Sequence, residues 1–136
     1  MPVQRLSPEG LIQPVPYHHV AIGTGSRLVY VAGQTAREPD RGPVTTDDVA
    51  EQVVRALRNV ATAIAGAGAT FADVVHLTCY VTGWSPARKD AFEAGLTRAA
   101  AELGFPDPLP PFTLVGVEQL YEPDILVEIQ ATAVVA

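Results

Sequence analysis

A glutamate inside an aliphatic run near the C-terminus constrains the fold of this chain most. Pro110 and Pro111 precede the run Phe112–Val117, and a second run, Leu126–Ala131, follows after a short polar interval. Both runs have the length and β-branched content of strands. Glu128 lies inside the second run, although strands disfavour glutamate and burial costs a carboxylate its solvation. A carboxylate kept in such a place is a candidate for acid–base chemistry.

The first part of the chain predicts two short strands and a loop. Residues 1–17 contain four prolines and are expected to be extended. Val20–Ile22 and Leu28–Ala32 are expected to pair as a hairpin through the turn Gly23–Ser26. Residues 35–45, which are rich in Pro, Gly and Asp, are expected to form a loop.

Two amphipathic helices with a strand between them are predicted next. Thr46 is the expected N-cap of the first helix, and Gly66 and Gly68 are expected to end it. Ser85 and Pro86 suit the start of the second helix, which Gly104 is expected to close. The first helix carries an apolar stripe at Val49, Val53, Leu57, Val60 and Ile64, and the second at Phe92, Leu96, Ala99 and Leu103.

The predicted order of elements is β-β-loop-α-β-α-β-β, which indicates an α+β fold with both helices on one face of a mixed sheet. Val74–Val81 is the strand between the helices. The face of the sheet away from the helices is expected to show Val74, His76, Thr78 and Tyr80, or the alternate residues of the last strand. That face is too apolar to meet water alone, so we expect it to contact other subunits.

Composition and charge limit the classes of function. A chain of 136 residues is expected to form a single domain over residues 1–136, and its net charge of −6 with only nine basic residues disfavours nucleic acid as a partner. The single cysteine, Cys79, excludes an internal disulfide and is expected in the core. No signal-like segment and no apolar run of about 20 residues is present, so no membrane partner and a cytoplasmic location are expected.

Several short motifs, in order along the chain, resemble the RidA/YjgF family, also called the L-PSP endoribonuclease family. These motifs are Pro16–Tyr17, Val31–Gln34, Gly66–Ala69 with Asp73–Val75, Val115–Val117 and Val127–Ile129. The resemblance implies a chorismate-mutase-like fold and a homotrimer whose sheets form a central barrel. It also implies three small-molecule clefts between subunits and the hydrolysis of reactive imines and enamines, such as 2-iminopropanoate, to the keto acid and ammonia, without a metal or organic cofactor.

The resemblance also implies roles for individual residues. Glu128 matches a glutamate that orients the attacking water, Tyr17 matches a tyrosine that lines the cleft, and Leu114 matches a position whose backbone lies near the substrate. The binding positions carried over are Phe112, Thr113, Ala32 and Gly33. Phe112 stands where the deaminating members carry the arginine that binds the substrate carboxylate. Ala32 replaces a usual serine, so the cleft is expected to be more apolar than a deaminase cleft.

Other readings of these residues stay open. Glu128 can instead lie at a sheet edge or pair with an arginine of another subunit, and Tyr17 can be an ordinary packed ring. Arg88 and Lys89 are the nearest substitutes for the missing arginine, although a solvated helix face is their default. His18 and His19 can shuttle protons or face solvent, and no third ligand at a recognisable spacing supports a metal site.

Three functions follow from these observations. The first is a RidA-like hydrolase or deaminase of an imine, enamine or related small molecule, with an atypical, more apolar cleft. The second is a non-catalytic trimeric protein of the same fold that binds a small molecule or serves a regulatory role. The third, an endoribonuclease, conflicts with the acidic charge and the absence of a basic patch in the sequence.

Overall fold

Six strands and two helices form the fold in the computed structural model, which describes residues 3–136. Four strands make one mixed sheet in the order β3-β6-β4-β5, where β4 and β5 are parallel and the other neighbours antiparallel. The strands are β1 (Val3–Leu6), β2 (Val20–Gly23), β3 (Arg27–Gln34), β4 (Val74–Thr82), β5 (Phe112–Val117) and β6 (Val127–Val135). The helices are α1 (Val49–Gly66) and α2 (Pro86–Leu103), with a 3-10 turn at Phe71–Asp73. The predicted α+β class is confirmed, and the predicted elements occur in the predicted order, but the structure adds the N-terminal strand β1, which was not predicted.

The predicted hairpin between Val20–Ile22 and Leu28–Ala32, which are now β2 and β3, is wrong. β2 pairs with the N-terminal strand β1, from Val3 opposite Gly23 to Leu6 opposite Val20, and β3 pairs with β6. The turn glycines explain the change of partner, because Gly23 and Gly25 lie directly against the end of β6. The chain therefore crosses the end of β6 there, leaves β2 and enters a different sheet.

Arg5 fastens the small β1-β2 sheet to the rest of the molecule. Its Nη2 atom donates to the carbonyl oxygens of Phe71, Ala72 and Val74 at 3.2, 2.9 and 2.9 Å. Burial is the main cause that lowers the pKa of the Arg5 guanidinium, against the nearby charge of Asp73. The N-terminal segment is thus held at the start of β4.

The N-cap of helix α1 lies two residues later than predicted. Asp48 is the N-cap, and its Oδ1 accepts a hydrogen bond from the backbone N–H of Ala50 at 2.9 Å. The Thr46 hydroxyl instead accepts from the N–H of Asp48 at 3.1 Å, which holds the capping residue in place. All five residues of the predicted apolar stripe are buried.

Helix α2 has the predicted ends and packs closely on α1. The Ser85 hydroxyl accepts from the N–H of Arg88 at 3.2 Å, and Gly104 ends the helix in the left-handed conformation at φ 70°. Gly95 lies against the backbone of Ala50, which sets the close approach of the two helices. Among residues 3–136, neither helix has the length and apolarity that crossing a bilayer requires.

The two faces of β4 differ as predicted, except at its start. His76, Thr78 and Tyr80 are partly exposed on the face away from the helices, which we call the open face. Val74 was expected beside them but is fully buried. A β-bulge at Val75 explains the difference, because the pairing with β6 skips one residue there and reverses the alternation.

The predicted loop before α1 is held by a buried amide and an ion pair. Arg37 donates to both carboxylate oxygens of Asp124 at 3.0 and 2.7 Å, and the N–H of Val44 donates to Asp124 at 2.8 Å. These bonds, the arginine first, lower the pKa of the Asp124 carboxyl. Gln52, fully buried on α1, donates to the carbonyls of Thr46 and Asp124 at 2.9 and 3.0 Å. The local sequence pattern does not predict these contacts of Asp124 and Gln52.

Candidate functional site

Strand β5 places Phe112 and Leu114 on the helix side of the sheet. Their partners in the parallel ladder are Leu77 and Cys79, which are both buried in the core. Phe112 and Leu114 are only partly buried, because β5 is an edge strand of the four-stranded sheet. An edge strand also keeps a row of its backbone N–H and C=O groups free of sheet partners. The backbone at Leu114 is therefore well placed for a ligand.

Tyr17 is brought to Phe112 by a short stretch of backbone pairing. The N–H of His18 donates to the carbonyl of Leu109 at 2.8 Å, and the N–H of Leu109 donates to the carbonyl of Pro16 at 2.9 Å. The Tyr17 and Phe112 rings then meet edge to face, with centroids 4.8 Å apart and an interplanar angle of 75°. Such a contact contributes about 0.5–1.5 kcal/mol beyond area burial.

His19 completes an aromatic cluster that we define as Tyr17, His19 and Phe112. Its ring lies 5.3 Å from that of Tyr17, again edge to face. His19 Nε2 bonds to the carbonyl oxygen of Ile12 at 2.9 Å, which fixes the ring. His18 points elsewhere, and its Nδ1 is buried without a hydrogen-bond partner among the described residues. The cluster presents ring carbons, and no guanidinium, where the resemblance implies a carboxylate anchor.

Glu128 occupies the open face of β6, which is an interior strand of the sheet. A β-bulge on β3 at Ala32 and Gly33 lies opposite the nearby Gln130 and brings Gly33 against the Glu128 side chain. A Cβ atom on Gly33 would lie 2.6 Å from the Glu128 carboxylate carbon and 2.8 Å from its Cγ. A side chain at position 33 would therefore displace the Glu128 carboxylate, because the glutamate side chain fills the space of a Cβ atom.

The Glu128 carboxylate is free to take a hydrogen bond from another molecule. Within residues 3–136 it makes no hydrogen bond and no ion pair. Its interior strand and partial exposure exclude the reading in which it simply lies at the edge of the sheet. A carboxylate of this kind can accept a proton or orient a water molecule.

Polar groups surround Glu128 on the open face. Tyr80 lies opposite Glu128 on β4, and Thr78 lies opposite Gln130. One step further, the His76 imidazole Nε2 bonds to the Thr113 hydroxyl at 3.2 Å. The Thr113 hydroxyl therefore lies on the open face and not on the side of Phe112. His76 lies among these groups although the family motifs give it no role. The alternation of side chains along β4 predicts its position, because His76 shares a face with Thr78 and Tyr80.

One chain divides the candidate residues between two sides of its sheet. Tyr17, Phe112 and the Leu114 side chain lie on the helix side at β5, while Glu128 and Gly33 lie on the open face toward β3. Two strand spacings, about 10 Å, separate β5 from β6. A small molecule inside one chain cannot touch both groups at once.

Neither basic residue proposed as a substitute for the missing arginine reaches Phe112. The Arg88 guanidinium donates to the Thr82 carbonyl at 2.7 Å and to its hydroxyl at 2.9 Å, at the far end of β5. Phe112 is five residues away along that strand, about 17 Å. Arg88 thus binds the end of β4 and is not the solvated residue expected. Lys89 is exposed and pairs with Glu93 at 2.8 Å.

Two other residues lie outside the candidate site. Cys79 is buried in the core, and burial raises the pKa of its thiol to about 12, so it remains protonated. Trp84 is partly exposed and packs edge to face against Phe92, with centroids 6.2 Å apart. Within residues 3–136 no three His, Cys, Asp or Glu side chains converge on a position for a metal ion.

The fold and the site define the class of protein: two helices on one face of a mixed sheet, a glutamate on the other, and an aromatic group at the edge strand. Residues 11–135 match the family described as Endoribonuclease L-PSP. The chain belongs to this family, which is the RidA/YjgF family.

Individual relatives agree with this assignment. A RutC family protein of Pyrococcus abyssi is 29% identical over 121 residues, which are 89% of this chain and 88% of that protein. The structure of YyfB of Yersinia pestis, a protein of the conserved Rid family, superposes with a TM-score of 0.86 at 31% identity, over 99% of this chain and 100% of that chain. TdcF of E. coli, solved with bound serine, gives a TM-score of 0.69 at 26% identity, over 97% and 94% of the two chains.

Proposed function

We propose that this protein hydrolyses imines or enamines that have no carboxylate group, with Glu128 as the residue that orients the attacking water. The observation that carries the proposal is the Glu128 carboxylate, held over Gly33 and unpaired within residues 3–136. Membership of the RidA/YjgF family supports the reaction class that the resemblance implies.

The proposed reaction needs only water and proton transfers. Water adds to the carbon of the protonated imine, Glu128 takes one proton of the water as the C–O bond forms, and the C=N electron pair moves to nitrogen, which gives a neutral carbinolamine. Glu128 then returns that proton to the carbinolamine nitrogen. The C–N bond breaks, ammonia leaves, and the hydroxyl loses its proton to water as the carbonyl forms. No electrons are transferred, so the reaction requires no redox cofactor.

We place the complete site between two copies of the chain in a homotrimer. The open face exposes Leu28 by 62% and Tyr30 by 75%, on the edge strand β3, and an apolar face of this kind favours a protein partner. The opposite edge of the sheet, β5, carries the aromatic cluster. A contact between β5 of one copy and β3 of the next joins the two groups that a single chain keeps apart.

The residues at the site favour an apolar substrate. Phe112 and Tyr17 present rings, Leu114 an aliphatic side chain and Ala32 a methyl group. None of them binds a carboxylate as an arginine fork does. TdcF was solved with serine, which carries a carboxylate. We propose that the substrate here is bulkier and less charged than an amino acid or its imine, for example an aryl aldimine.

The experiment that tests the proposal measures ammonia release from two imines made in situ. An amino-acid oxidase supplies 2-iminopropanoate, and a flavin amine oxidase acting on benzylamine supplies benzaldimine. The wild type should accelerate release from benzaldimine and leave 2-iminopropanoate nearly unchanged. Phe112→Arg should gain activity on 2-iminopropanoate, because the guanidinium restores an anchor for the carboxylate.

Glu128→Gln identifies the group that activates water. It should lower turnover on benzaldimine by about a hundredfold, within the range that removal of a general base produces, with little change in binding. Glu118→Gln, which changes an exposed glutamate in a loop, is the matched control and should keep full activity. Equal rates for the two variants would remove Glu128 from the mechanism.

The alternative is a non-catalytic trimeric protein of the same fold, with a small-molecule-binding or regulatory role. The Tyr17–Phe112 contact favours it, because these rings already fill space beside β5 that a polar substrate would need. This alternative predicts no acceleration of either imine by the wild type or by Phe112→Arg.

We infer a cytoplasmic protein with a single domain over residues 1–136. A lone protonated thiol suits a reducing compartment. We expect no nucleic-acid partner, given the net charge of −6.

A further inference from the structure

A pocket on the outer side of α2 is separate from the candidate site. Its volume is about 580 Å³, which is within the range of small-molecule sites. It lies between the C-terminal half of α2 and the segment that leads into β5. The wall is built mostly from apolar groups of Pro16, Leu96, Ala100, Phe105, Pro106 and Leu109.

The pocket and the aromatic cluster lie on opposite sides of the same chain segment. Pro16 and Leu109 line the pocket, whereas Tyr17 and Phe112 do not. Successive side chains of an extended segment point in opposite directions, so Tyr17 turns away from the space that Pro16 borders. A ligand here would therefore occupy space that the proposed hydrolysis does not use.

The charged groups of the pocket have one sign. Glu93 and Asp107 are its two charged lining residues, and both are carboxylates. Glu93 is paired with Lys89 at 2.8 Å. Asp107 has no ion-pair partner within residues 3–136. An apolar wall with an unpaired carboxylate at its rim complements an apolar body that carries a positive charge.

We propose that this pocket binds a small apolar amine in its protonated form. The hydrocarbon part packs against Phe105, Leu96 and Leu109, and the ammonium group lies at the carboxylate of Asp107. Apolar burial supplies most of the affinity, because Asp107 is exposed and an exposed ion pair contributes little. The charge contributes selectivity for an amine over a neutral molecule of the same shape.

Three probes of matched shape test the proposal: phenylbutylamine, phenylbutanol and phenylbutanoate. Binding is followed by calorimetry and by amide chemical-shift changes at Thr97 and Phe105 on the full chain. The amine should bind roughly twofold to fivefold tighter than the alcohol, as expected for one exposed ion pair. The carboxylate should bind weakest, because it meets two like charges.

Two pairs of variants locate the binding. Asp107→Asn should remove the preference for the amine over the alcohol, while Asp47→Asn, which changes an exposed aspartate before α1, should keep it. Ala101→Phe fills the pocket and should weaken all three probes at least roughly tenfold, by loss of the apolar contact area. Ala94→Phe places the same ring on an exposed position of α2 outside the pocket and should have no effect.

Two results would overturn the proposal. One is equal affinity of the wild type for the amine and the alcohol, which would show that the carboxylates confer no selectivity. The other is identical binding by Ala101→Phe and Ala94→Phe, which would place the probes elsewhere. Loss of imine hydrolysis in any of these variants bears on the proposed function alone, because binding is measured directly.

Discussion

Replacing Gly95 with alanine should destabilise the protein, although alanine is the better helix former. Gly95 is buried in the middle of α2, where the two helices touch. A Cβ atom at this position would lie 2.6 Å from the carbonyl oxygen of Ala50, 2.8 Å from Val53 Cβ and 2.9 Å from Ala50 Cα. Two of these atoms belong to the backbone of α1 and cannot rotate away. Relief therefore requires the helices to separate.

The size of the effect follows from two opposing terms. Overpacking of a well-packed core costs about 1–3 kcal/mol, while alanine in place of glycine within a helix returns about 0.5–1 kcal/mol. The central values of the two terms leave a net loss of about 1.2 kcal/mol in the free energy of unfolding. The unfolding entropy of a chain of 136 residues is about 0.3 kcal/mol/K, so the melting temperature should fall by roughly 4 °C.

Gly66→Ala is the matched control, because a Cβ atom on this last residue of α1 meets no atom within 4 Å. Its melting temperature should equal or exceed that of the wild type. Both variants are compared by thermal unfolding at the same protein concentration, followed by circular dichroism. If Gly95→Ala melts at or above the wild-type temperature, the reasoning about helix contact at Gly95 is refuted.

Three further predictions concern the site, the loop and the thiol. Gly33→Ala should lower benzaldimine turnover by roughly tenfold to a hundredfold while the melting temperature changes little, because the added methyl displaces the Glu128 carboxylate; unchanged turnover would contradict this. Asp124→Asn should lower the melting temperature at neutral pH. The pKa of Asp124 is lower in the folded than in the unfolded protein, so its carboxylate stabilises the fold above the unfolded pKa of about 4, and this stabilisation is lost as pH falls through the folded pKa. The difference in melting temperature between the variant and the wild type should therefore shrink below pH ~4. A difference that does not change with pH would show that the contact with Arg37 does not cause it. Cys79 should react with a thiol reagent only after unfolding, because burial raises its pKa to about 12; rapid reaction of the native protein would disprove its burial.

The helices could be predicted because their signals are local. The spacing of Val53, Leu57 and Val60 requires a helix whichever partner it packs against, and Ser85 before Pro86 marks a helix start. The alternation of His76 and Cys79 on β4 likewise assigned each to its correct face. Such signals lie within one turn or one strand, so a single sequence contains them in full.

Strand partners and bulges could not be predicted from the same signals. Val20–Ile22 has the composition of a strand, but its choice of β1 over β3 depends on contacts near Val134, more than a hundred residues away. Val74 lies in the core and not on the open face, because the bulge at Val75 changes the alternation of side chains. A run of β-branched residues does not show in the sequence where a bulge occurs. The ion pair between Arg37 and Asp124 likewise joins two loops 87 residues apart.

Glu128 and Tyr17 lie on different sides of the sheet of one chain, which allows the inter-subunit site to be tested by complementation. If each site takes Glu128 from one copy and Tyr17 from another, then Glu128→Gln and Tyr17→Ala damage different halves of it. Mixed assemblies made by co-expressing the two variants should regain activity, since about one site in four pairs two intact halves by random association. Each variant alone should stay inactive. If the mixture is no more active than the single variants, both halves come from the same chain and the inter-subunit site is wrong.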